Sequence, residues 1–238
     1  MQYFANNQSA PPKKPRPAPA YQWLDQFKPE KRLLRGQWYH FAKRIMDITI
    51  TVGSLPVLAP VLGLCALLIK IESPRDPILF LQERVGKGGR RFKMFKFRTM
   101  VVNAEELKKK LVPTNEDGEL KGPLKLENDP RITKVGKILR KTSLDELPQV
   151  VNILRGEMSW VGPRPTSFGL KSYLLWHTER LDVLPGLTGL WQLYGRGDVD
   201  FDNWLRWDIR YLEKRCLWLD IQIMFRTATA VLKQKGAR

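Results

Sequence analysis

The chain has 238 residues, enough for one or two domains with a hydrophobic core, and carries 41 Lys plus Arg against 24 Asp plus Glu. The resulting formal net charge of +17 implies an anionic partner: nucleic acid, anionic lipid headgroups or a phosphorylated substrate. Cys65 and Cys216 have neither metal-site nor disulfide-framework spacing, which favours a reducing, cytosolic setting. The first residues are polar and then proline-rich, so we expect no cleavable signal peptide.

The N-terminal region divides into two predicted segments. Residues 1–20 form a basic, Pro-rich tail that has little to bury and is expected to be disordered. Residues 21–42 interleave aromatic and basic side chains, which is typical of a membrane–water interface and also of an ordinary surface helix. The aromatic residues of this segment include Trp23, Phe27, Trp38 and Tyr39, and its basic residues include Lys31, Arg32 and Arg35.

The segment 43–72 contains a long apolar stretch between Asp47 and Lys70 that carries no charge. A helix of roughly 22 residues, rising about 1.5 Å per residue, could cross a hydrocarbon core of about 30 Å. Pro56 and Pro60 interrupt it, and each removes a backbone donor and tends to kink a helix. Membrane insertion is therefore predicted, with a bend at the two prolines.

Basic residues flank this apolar stretch on both sides, and the positive-inside rule favours keeping both flanks on the cytoplasmic face. A re-entrant helix hairpin that enters and leaves by the same face meets this requirement, and a simple spanning helix is the alternative. Asp47 is expected to pair with Lys43 or Arg44, because an unpaired charge at membrane depth is costly.

After the membrane segment the composition predicts a β-hairpin. Residues 78–82 have strand composition, and residues 92–98 alternate apolar with basic side chains. Between them Gly86, Gly88 and Gly89 indicate a tight turn, and the pattern of a phosphate-binding P-loop is missing from the sequence. The basic face of the second strand is either solvated or faces a phosphate-rich substrate.

A short helix is predicted over residues 103–110, followed by a polar loop over 113–128. Order resumes at Asp129, where apolar residues recur at helical spacing opposite a basic face, which is typical of a helix lying on a membrane surface. The apolar positions are Ile132, Val135, Ile138 and Leu139, and the basic ones are Lys134, Lys137, Arg140 and Lys141.

Two adjacent carboxylates, Asp145 and Glu146, follow this basic run. Ser143 and Glu146 match the S-x-x-E pattern of a capping box, and Pro148 suits the first turn of a helix. A helix N-terminus stabilises a carboxylate and attracts phosphate, so an Asp there could act as nucleophile or hold Mg²⁺. In cationic surroundings these carboxylates suit phosphoryl chemistry, and a plain helix cap is the alternative.

The C-terminal residues 201–238 predict amphipathic helices. Aromatic residues at helical spacing alternate with Arg and Lys, which favours the membrane interface over a packed core helix. The positions concerned are Trp204, Trp207, Tyr211, Trp218, Ile221 and Phe225. His40 and His177 stand alone in the sequence and are expected to be structural.

An ordered set of short motifs from Lys43 to the C-terminus resembles the bacterial sugar transferase family, the monotopic polyprenyl-phosphate phosphoglycosyl transferases. Each motif alone is weak, whereas their order is highly specific. They are residues 43–47, the Pro-broken apolar stretch, and residues 69–74, 82–86, 96–100, 129–133, 143–149, 161–165 and 185–192. One position departs from the family: Ala59 stands where members commonly have Ser before the helix-breaking proline, which shifts the bend toward Pro56 or Ser54.

The resemblance implies transfer of a sugar 1-phosphate from a UDP-sugar, with a UDP-hexose indicated by the longer C-terminal region, to polyprenyl (undecaprenyl) phosphate with release of UMP. It implies an aspartyl–phosphosugar intermediate, Mg²⁺ or Mn²⁺ as cofactor, and a start to exopolysaccharide, O-antigen or other glycoconjugate assembly. It also implies the cytoplasmic face of the bacterial inner membrane, with the lipid bilayer and a possible homodimer as partners and no nucleic acid.

The family's roles fall on a small set of residues in this chain. Asp145 is the predicted nucleophile, with Glu146 as supporting acid, and both are the predicted metal ligands. Arg164, held between two prolines, is the predicted phosphate clamp, because a rigid guanidinium suits bidentate recognition; a helix-terminating turn is the alternative. Four more basic residues are predicted on the substrate face: Arg84, Lys96, Arg98 and Arg131.

The predicted fold class is α+β, mostly helical and membrane-associated, with a re-entrant hairpin, interfacial helices and a small β-hairpin or sheet. Residues 73–200 form the predicted catalytic domain between the membrane segment and the C-terminal helices. A membrane-tethered basic protein that binds anionic lipid or nucleic acid without catalysis is the alternative. That alternative predicts a dispensable Asp–Glu pair and gives no reason for a nucleic-acid binder to carry the Pro-broken segment.

Overall fold

The computed structural model describes residues 19–28, 34, 36–111, 129–167, 175–194 and 201–232. The predictions made for residues 1–18 and for the loop 113–128 therefore lie outside the described residues. The described part is mostly helical, as predicted, and has two small sheets, of which the sequence predicted one. The α-helices are α1 (Gly36–Glu72), α2 (Ala104–Leu111), α3 (Lys134–Thr142), α4 (Val150–Arg155), α5 (Leu190–Tyr194), α6 (Phe201–Lys214) and α7 (Leu217–Leu232).

Helix α1 contains the apolar stretch and is, among the described residues, the one helix long and apolar enough to cross a membrane. It runs without interruption through Pro56 and Pro60, so the predicted hairpin is not confirmed. The Ser54 hydroxyl, two residues before Pro56 and six before Pro60, donates to the Thr51 carbonyl at 2.9 Å. The middle of the helix is uncovered, since Val57 is 70% exposed.

The N-terminal arm of α1 is attached to the rest of the protein by polar contacts. Asp47 is buried and accepts hydrogen bonds from the Ser159 hydroxyl at 3.0 Å and the Trp160 amide at 3.2 Å. The predicted pairing of Asp47 with Lys43 or Arg44 is therefore wrong. Lys43 instead meets Asp220, and Arg44 donates to two backbone carbonyls of α4.

The partner of Lys43 belongs to a buried group that we call the Asp220 cluster, formed by Tyr39, Lys43, Tyr211 and Asp220. Lys43 Nζ lies 2.7 Å from one Asp220 oxygen, and the Tyr211 hydroxyl donates to the other at 2.8 Å. Tyr39 approaches the first oxygen at 3.5 Å. This cluster joins α1 to α6 and α7 with each carboxylate oxygen satisfied.

The C-terminal arm of α1 is attached mainly by apolar packing. Cys65 and Ile69 are 3% exposed and pack against Phe97 and Leu139. At the last residue of the helix, the two Glu72 carboxylate oxygens accept the Lys134 and Val135 amides of α3 at 2.8 and 3.1 Å. Both arms of α1 thus contact the same folded unit.

The predicted β-hairpin is confirmed as strands β1 (Leu79–Val85) and β2 (Arg91–Phe97), which pair antiparallel with Leu79 opposite Phe97. A second, parallel pair, β3 (Ser159–Val161) with β4 (Gly186–Thr188), was not predicted. Gly186 is required there, since a Cβ atom would lie 2.0 Å from the Gly162 nitrogen.

The main core includes two segments for which we predicted or allowed an interfacial position. Leu24 and Phe27, at the short 3-10 helix Pro19–Gln26, are buried in this core. In α6 the structure favours the packed-core alternative at two positions, because Tyr211 is 2% exposed and Trp207 is partly buried against the same core. The interfacial position of the helix stays a prediction. Helix α7 is amphipathic: it buries one face and exposes Trp218, Ile221 and Phe225.

Candidate active site

Helix α3 leads the chain to the two adjacent carboxylates. The Thr133 side chain caps its first turn by accepting the Gly136 amide at 2.9 Å. Only glycine fits at position 136, because a Cβ atom would lie 2.2 Å from the Thr99 carbonyl oxygen. Ser143, with a left-handed φ of 58°, ends α3 and begins the 3-10 helix Leu144–Gln149, which we call the acidic turn.

The capping box predicted at Ser143 is wrong. The Ser143 side chain makes no capping hydrogen bond, and the Glu146 carboxylate turns away toward two cations. Hydrogen bonds to charged donors are stronger than those to a neutral backbone amide, which explains this choice. Pro148 is buried within the acidic turn, just before α4 begins at Val150.

Glu146 is held in a fixed position by Lys96 of β2 and by Arg164. Its Oε1 accepts from Lys96 Nζ and from an Arg164 nitrogen, each at 2.8 Å. Burial would raise the pKa of Glu146, but the charges and hydrogen bonds of Arg164 and Lys96 outweigh burial and hold the pKa well below its usual range. Glu146 is therefore an anion at neutral pH that orders the two cations.

Asp145 contrasts with its neighbour because no described residue gives its carboxylate a hydrogen bond or an ion pair within 4 Å. Burial raises its pKa to about 6, and the charge of Glu146 adds to the increase. Lys96, Arg140 and Arg164 oppose the shift. Asp145 is thus partly buried, has a raised pKa and has no hydrogen-bond or ion-pair partner among the described residues, and this combination is typical of a functional group.

Arg164 reaches Glu146 from a rigid corner that follows β3. The neighbouring Pro163 and Pro165 fix the backbone, and the Pro163 carbonyl accepts the Gly186 amide at 2.8 Å. The guanidinium also lies 5.6 Å from the ring centroid of Trp191. With its side chain 35% exposed, Arg164 keeps solvent access as well as its pairing to Glu146.

Arg84 of β1 is the second cation near this corner. Its Nε is buried without a hydrogen-bond partner among the described residues, while Nη2 donates to Gln82. Burial lowers the pKa of Arg84 to about 10, the Arg164 charge adds to the decrease, and Glu146 opposes it. A buried guanidinium with an unused donor is well suited to an incoming phosphate oxygen.

The other two predicted phosphate ligands, Arg98 and Arg131, each form an ion pair with a neighbouring aspartate. Arg98 lies 3.2 Å from Asp76, and Arg131 forms a bidentate, buried pair with Asp129. Both arginines are less than 10% exposed. Lys96, Arg84 and Arg164 surround the acidic turn, whereas a substrate role for Arg98 and Arg131 stays a prediction.

Arg140 is a cation near the site that the sequence analysis assigned only to the basic face of a helix. It acts on Asp145 electrostatically from α3, and its Nε donates to the Thr99 hydroxyl at 2.9 Å. The available signal was its position five residues before Asp145. The left-handed backbone at Ser143 determines how Arg140 and Asp145 are placed relative to each other, and the sequence does not predict this conformation.

The predicted metal ligands fit a magnesium or manganese ion in part. The described residues contain no group of three or more His, Cys, Asp or Glu that could hold a metal. Mg²⁺ is, however, often bound by one or two carboxylates together with substrate phosphates and water. The Asp145 carboxylate is free for such a role, whereas the Glu146 oxygens already accept hydrogen bonds from two cations.

Comparison with known proteins places the whole of this site inside one matched region. The family model described as bacterial sugar transferase matches residues 38–234. The undecaprenyl-phosphate galactose phosphotransferase of Salmonella typhimurium is 43% identical over 200 residues, which cover 83% of this chain and 42% of that protein.

Two further relatives differ in how much of their own length this chain covers. The exopolysaccharide production protein ExoY of Rhizobium meliloti is 40% identical over 82% of this chain and 88% of its own length. The undecaprenyl-phosphate glucose phosphotransferase of Komagataeibacter xylinus is 39% identical over 85% of this chain and 38% of its own. The chain thus spans about two fifths of the longer relatives and most of ExoY.

Proposed function

This chain belongs to the bacterial sugar transferase family, and on that premise we propose that it transfers a sugar 1-phosphate from a UDP-sugar to undecaprenyl phosphate, releasing UMP. The observation that carries the proposal is the Asp145 carboxylate, which has no partner among the described residues and lies beside a fixed Glu146 amid cations. The names of the relatives supply the lipid acceptor and the sugar class. A UDP-hexose is the donor that we propose.

The reaction proceeds in two displacements at phosphorus. An Asp145 oxygen attacks the β-phosphorus of the donor, the bond from that phosphorus to the bridging oxygen breaks, and UMP leaves with the bond's electrons. A phosphate oxygen of the polyprenyl phosphate then attacks the same phosphorus, and the Asp145 carboxylate is released. Attack requires the ionised carboxylate, which predominates above the pKa of about 6.

The surrounding cations stabilise the charge that the displacement develops. Arg164 is solvent-accessible on one side, and Arg84 has an unused buried donor, so both can meet the diphosphate oxygens. Lys96 is held by Glu146 at the same turn. A magnesium ion, when bound through Asp145 with Glu146 as neighbour, would screen the diphosphate and favour departure of the leaving group.

We also propose that α1 is re-entrant, bent at Pro56 and Pro60 and inserted from the cytoplasmic face of the bacterial inner membrane. From Thr51 to Cys65 a helix rises about 21 Å, less than a hydrocarbon core of about 30 Å. Thr51 and Cys65 are both buried against the folded unit, so a straight helix that spans the membrane would place one of these two contacts inside the bilayer. A bend keeps both attachments on one side.

Labelling of single cysteines tests this topology. Gln37→Cys and Arg75→Cys place exposed thiols on the two flanks of α1, in a chain whose Cys65 and Cys216 are replaced by Ser. A re-entrant helix predicts that an impermeant maleimide labels both in inverted vesicles and neither in intact spheroplasts. Labelling of one flank from each side would establish a spanning helix instead.

Release of nucleoside monophosphate by detergent-solubilised protein tests the reaction. The mixture holds Mg²⁺, undecaprenyl phosphate and a panel of UDP-sugars, with Asp145→Asn as the variant and Asp182→Asn, an exposed carboxylate in the 3-10 helix Leu175–Asp182, as the control. We expect UMP release with one sugar, lost in Asp145→Asn and retained in the control. Release that persists in Asp145→Asn would overturn the mechanism, and folded protein inactive with every donor would favour a tethered binding protein.

A further inference from the structure

The backbone of Arg164 has an unusual anchor. In the corner that carries it, the Pro163 and Thr166 carbonyls accept ordinary backbone amides, at 2.8 and 3.0 Å. The Arg164 carbonyl instead accepts a hydrogen bond from the guanidinium of Arg180. Because the two flanking prolines have no amide hydrogen, carbonyl contacts of this kind hold the corner against the rest of the protein.

Arg180 is itself held by Asp208 of α6. An Arg180 Nη2 atom lies 2.9 Å from Asp208, and the side chains are only 4% and 5% exposed. A buried charge pair is unstable if either partner is removed, so Asp208 fixes the guanidinium that grips the Arg164 carbonyl. A chain of contacts therefore runs from Asp208 through Arg180 and Arg164 to Glu146.

The side chain of Arg164 is supported from the same helix by a second route. Its guanidinium lies over Trp191, and the Trp191 and Trp204 ring centroids are 4.6 Å apart. Trp204 and Asp208 are four residues apart on α6, which places them on one face of the helix. One helix face therefore contacts both the aromatic platform under Arg164 and the arginine that holds its backbone.

We infer that this face, which we call the α6 support (Trp204 and Asp208), positions the Arg164 guanidinium for the donor diphosphate. Arg180 and Asp208 are positioning residues that act through Arg164. This inference rests on the proposed function for what Arg164 binds, but the contacts that carry it do not depend on the reaction. An alternative is that α6 contributes only to folding, since its Leu205 is fully buried.

The first experiment measures the position of Arg164 without turnover. Phenylglyoxal modifies accessible arginines, and peptide mass spectrometry resolves the rate at Arg164 from the rates at other arginines. Asp208→Asn is expected to raise the rate at Arg164 at least threefold. Asp220→Asn breaks a comparably buried carboxylate–cation pair but leaves Asp208, Arg180 and Trp204 in place, so it serves as the control and should leave that rate unchanged.

The second experiment asks whether the two sites act together. Asp208→Asn is combined with Arg164→Lys, and kcat/KM for the UDP-sugar is measured for both single variants and the double variant. We expect Asp208→Asn to lower kcat/KM by about 30-fold in the natural chain and by less than about 3-fold in the Arg164→Lys variant. Such non-additivity is typical of groups that act through each other. Arg180→Lys, which keeps the charge, gives the same cycle if Asp208→Asn does not fold.

The outcomes separate this inference from the proposed function. Unchanged labelling of Arg164 in both Asp208→Asn and Arg180→Lys, or equal fold losses in the two backgrounds, would overturn the positioning role. If the natural chain releases no UMP with any donor, the proposed function fails, while the labelling result alone still decides whether α6 positions Arg164.

Discussion

The Asp220 cluster and the acidic turn each pair a carboxylate with a lysine, and they differ in whether every carboxylate has a partner. Each places a carboxylate within 2.8 Å of a lysine, Lys43 in one and Lys96 in the other. In the Asp220 cluster both oxygens of the carboxylate have donors and the group is fully buried. In the acidic turn Glu146 is paired, but the adjacent Asp145 has no partner among the described residues.

This difference distinguishes a structural polar cluster from the proposed reactive one. A buried network in which each group is paired stabilises one arrangement of its helices and leaves nothing for a ligand to bind. Around the acidic turn the cations Arg84, Lys96, Arg140 and Arg164 outnumber the two acids. That excess positive charge, with one free carboxylate, is what a diphosphate donor and an aspartyl nucleophile require.

The largest expected effects come from replacing the carboxylate of Asp145 or of Asp220 with an amide. Asp145→Asn is expected to lower turnover by about 10⁴-fold or more, because it removes the proposed covalent nucleophile and with it the reaction path. Asp220→Asn is expected to cost about 3–5 kcal/mol of stability, since it leaves Lys43 buried without its counter-charge. Measurements of UMP release and thermal unfolding on both variants test whether Asp145→Asn loses turnover and Asp220→Asn loses stability.

The opposite result would exchange the roles of the two carboxylate centres. If Asp220→Asn lost turnover while its unfolding midpoint stayed within about 2 °C of the natural chain, the Asp220 cluster would be part of the reaction machinery. If Asp145→Asn lost stability instead of activity, the acidic turn would be a structural cluster like the other.

The next effect is on the pH dependence of turnover. In the natural chain the acid limb of kcat/KM is expected near the Asp145 pKa of about 6, with activity rising as the carboxylate ionises. Glu146→Gln removes a neighbouring negative charge that raises this pKa, and frees Lys96 and Arg164, which lower it. The acid limb should therefore move to lower pH, while the maximal rate falls because the two cations lose their anchor. An unmoved acid limb would show that it does not report Asp145.

How far the sequence predicted this site depends on whether each feature is local. The acid pair and Arg164 came from short motifs, and the β-hairpin came from alternation around three glycines; the structure confirms the hairpin. The partner of Lys43 was missed because Asp220 lies 177 residues away and no local rule selects it over Asp47. The strands β3 and β4, three residues each, are too short for a period to be recognised.

The aromatic residues of α6 show a second limit. Trp and Tyr interleaved with Arg and Lys are typical of a membrane interface, yet Tyr211 is buried in the protein core. Amphipathic side chains keep a polar tip and an apolar body in either setting, so the pattern alone does not distinguish them. In Tyr211 the tip donates to Asp220, a partner that only the fold supplies.

A smaller effect concerns the stability cost of keeping Asp145 reactive. Its folded pKa is raised from 3.8 to about 6, so the folded state binds that proton more tightly than the unfolded chain does. The stabilisation by protonation is fully present below about pH 4 and is lost as the pH rises through 6. Asp145→Asn should consequently be more stable than the natural chain at pH 7.5 by about 1–3 kcal/mol, reduced by whatever solvent screening the half-buried carboxylate has.

Unfolding midpoints at pH 7.5 and pH 4 measure this cost, with Asp182→Asn as an exposed control. The gain in Asp145→Asn should appear at the higher pH and disappear at the lower one. A variant less stable than the natural chain at pH 7.5 would indicate that the Asp145 carboxylate has a stabilising partner, which would remove its contrast with Asp220.

The smallest expected effect is at Glu72, a carboxylate satisfied by backbone amides alone. It accepts the Lys134 and Val135 amides at the start of α3 and thereby ties the end of α1 to the helix that leads to the acidic turn. Glu72→Ala removes both acceptors and should cost about 1 kcal/mol, in the range of a helix cap, while Glu72→Gln keeps one acceptor and should cost about half. Glu83→Ala, an exposed acid on β1 paired only with an exposed arginine, is the control and should change stability by less than about 0.5 kcal/mol.

Because Glu72 contacts α3 and not the acidic turn, its variants test whether the attachment of α1 affects the position of the acidic turn. If α3 only needs a cap, Glu72→Ala will lower the unfolding midpoint and leave kcat/KM of the folded protein unchanged. If the attachment of α1 sets the position of the acidic turn, kcat/KM will fall more than stability does, and Glu72→Gln will restore both in proportion to the acceptor that it keeps. The second result would make the end of the membrane helix part of what holds Asp145 in place.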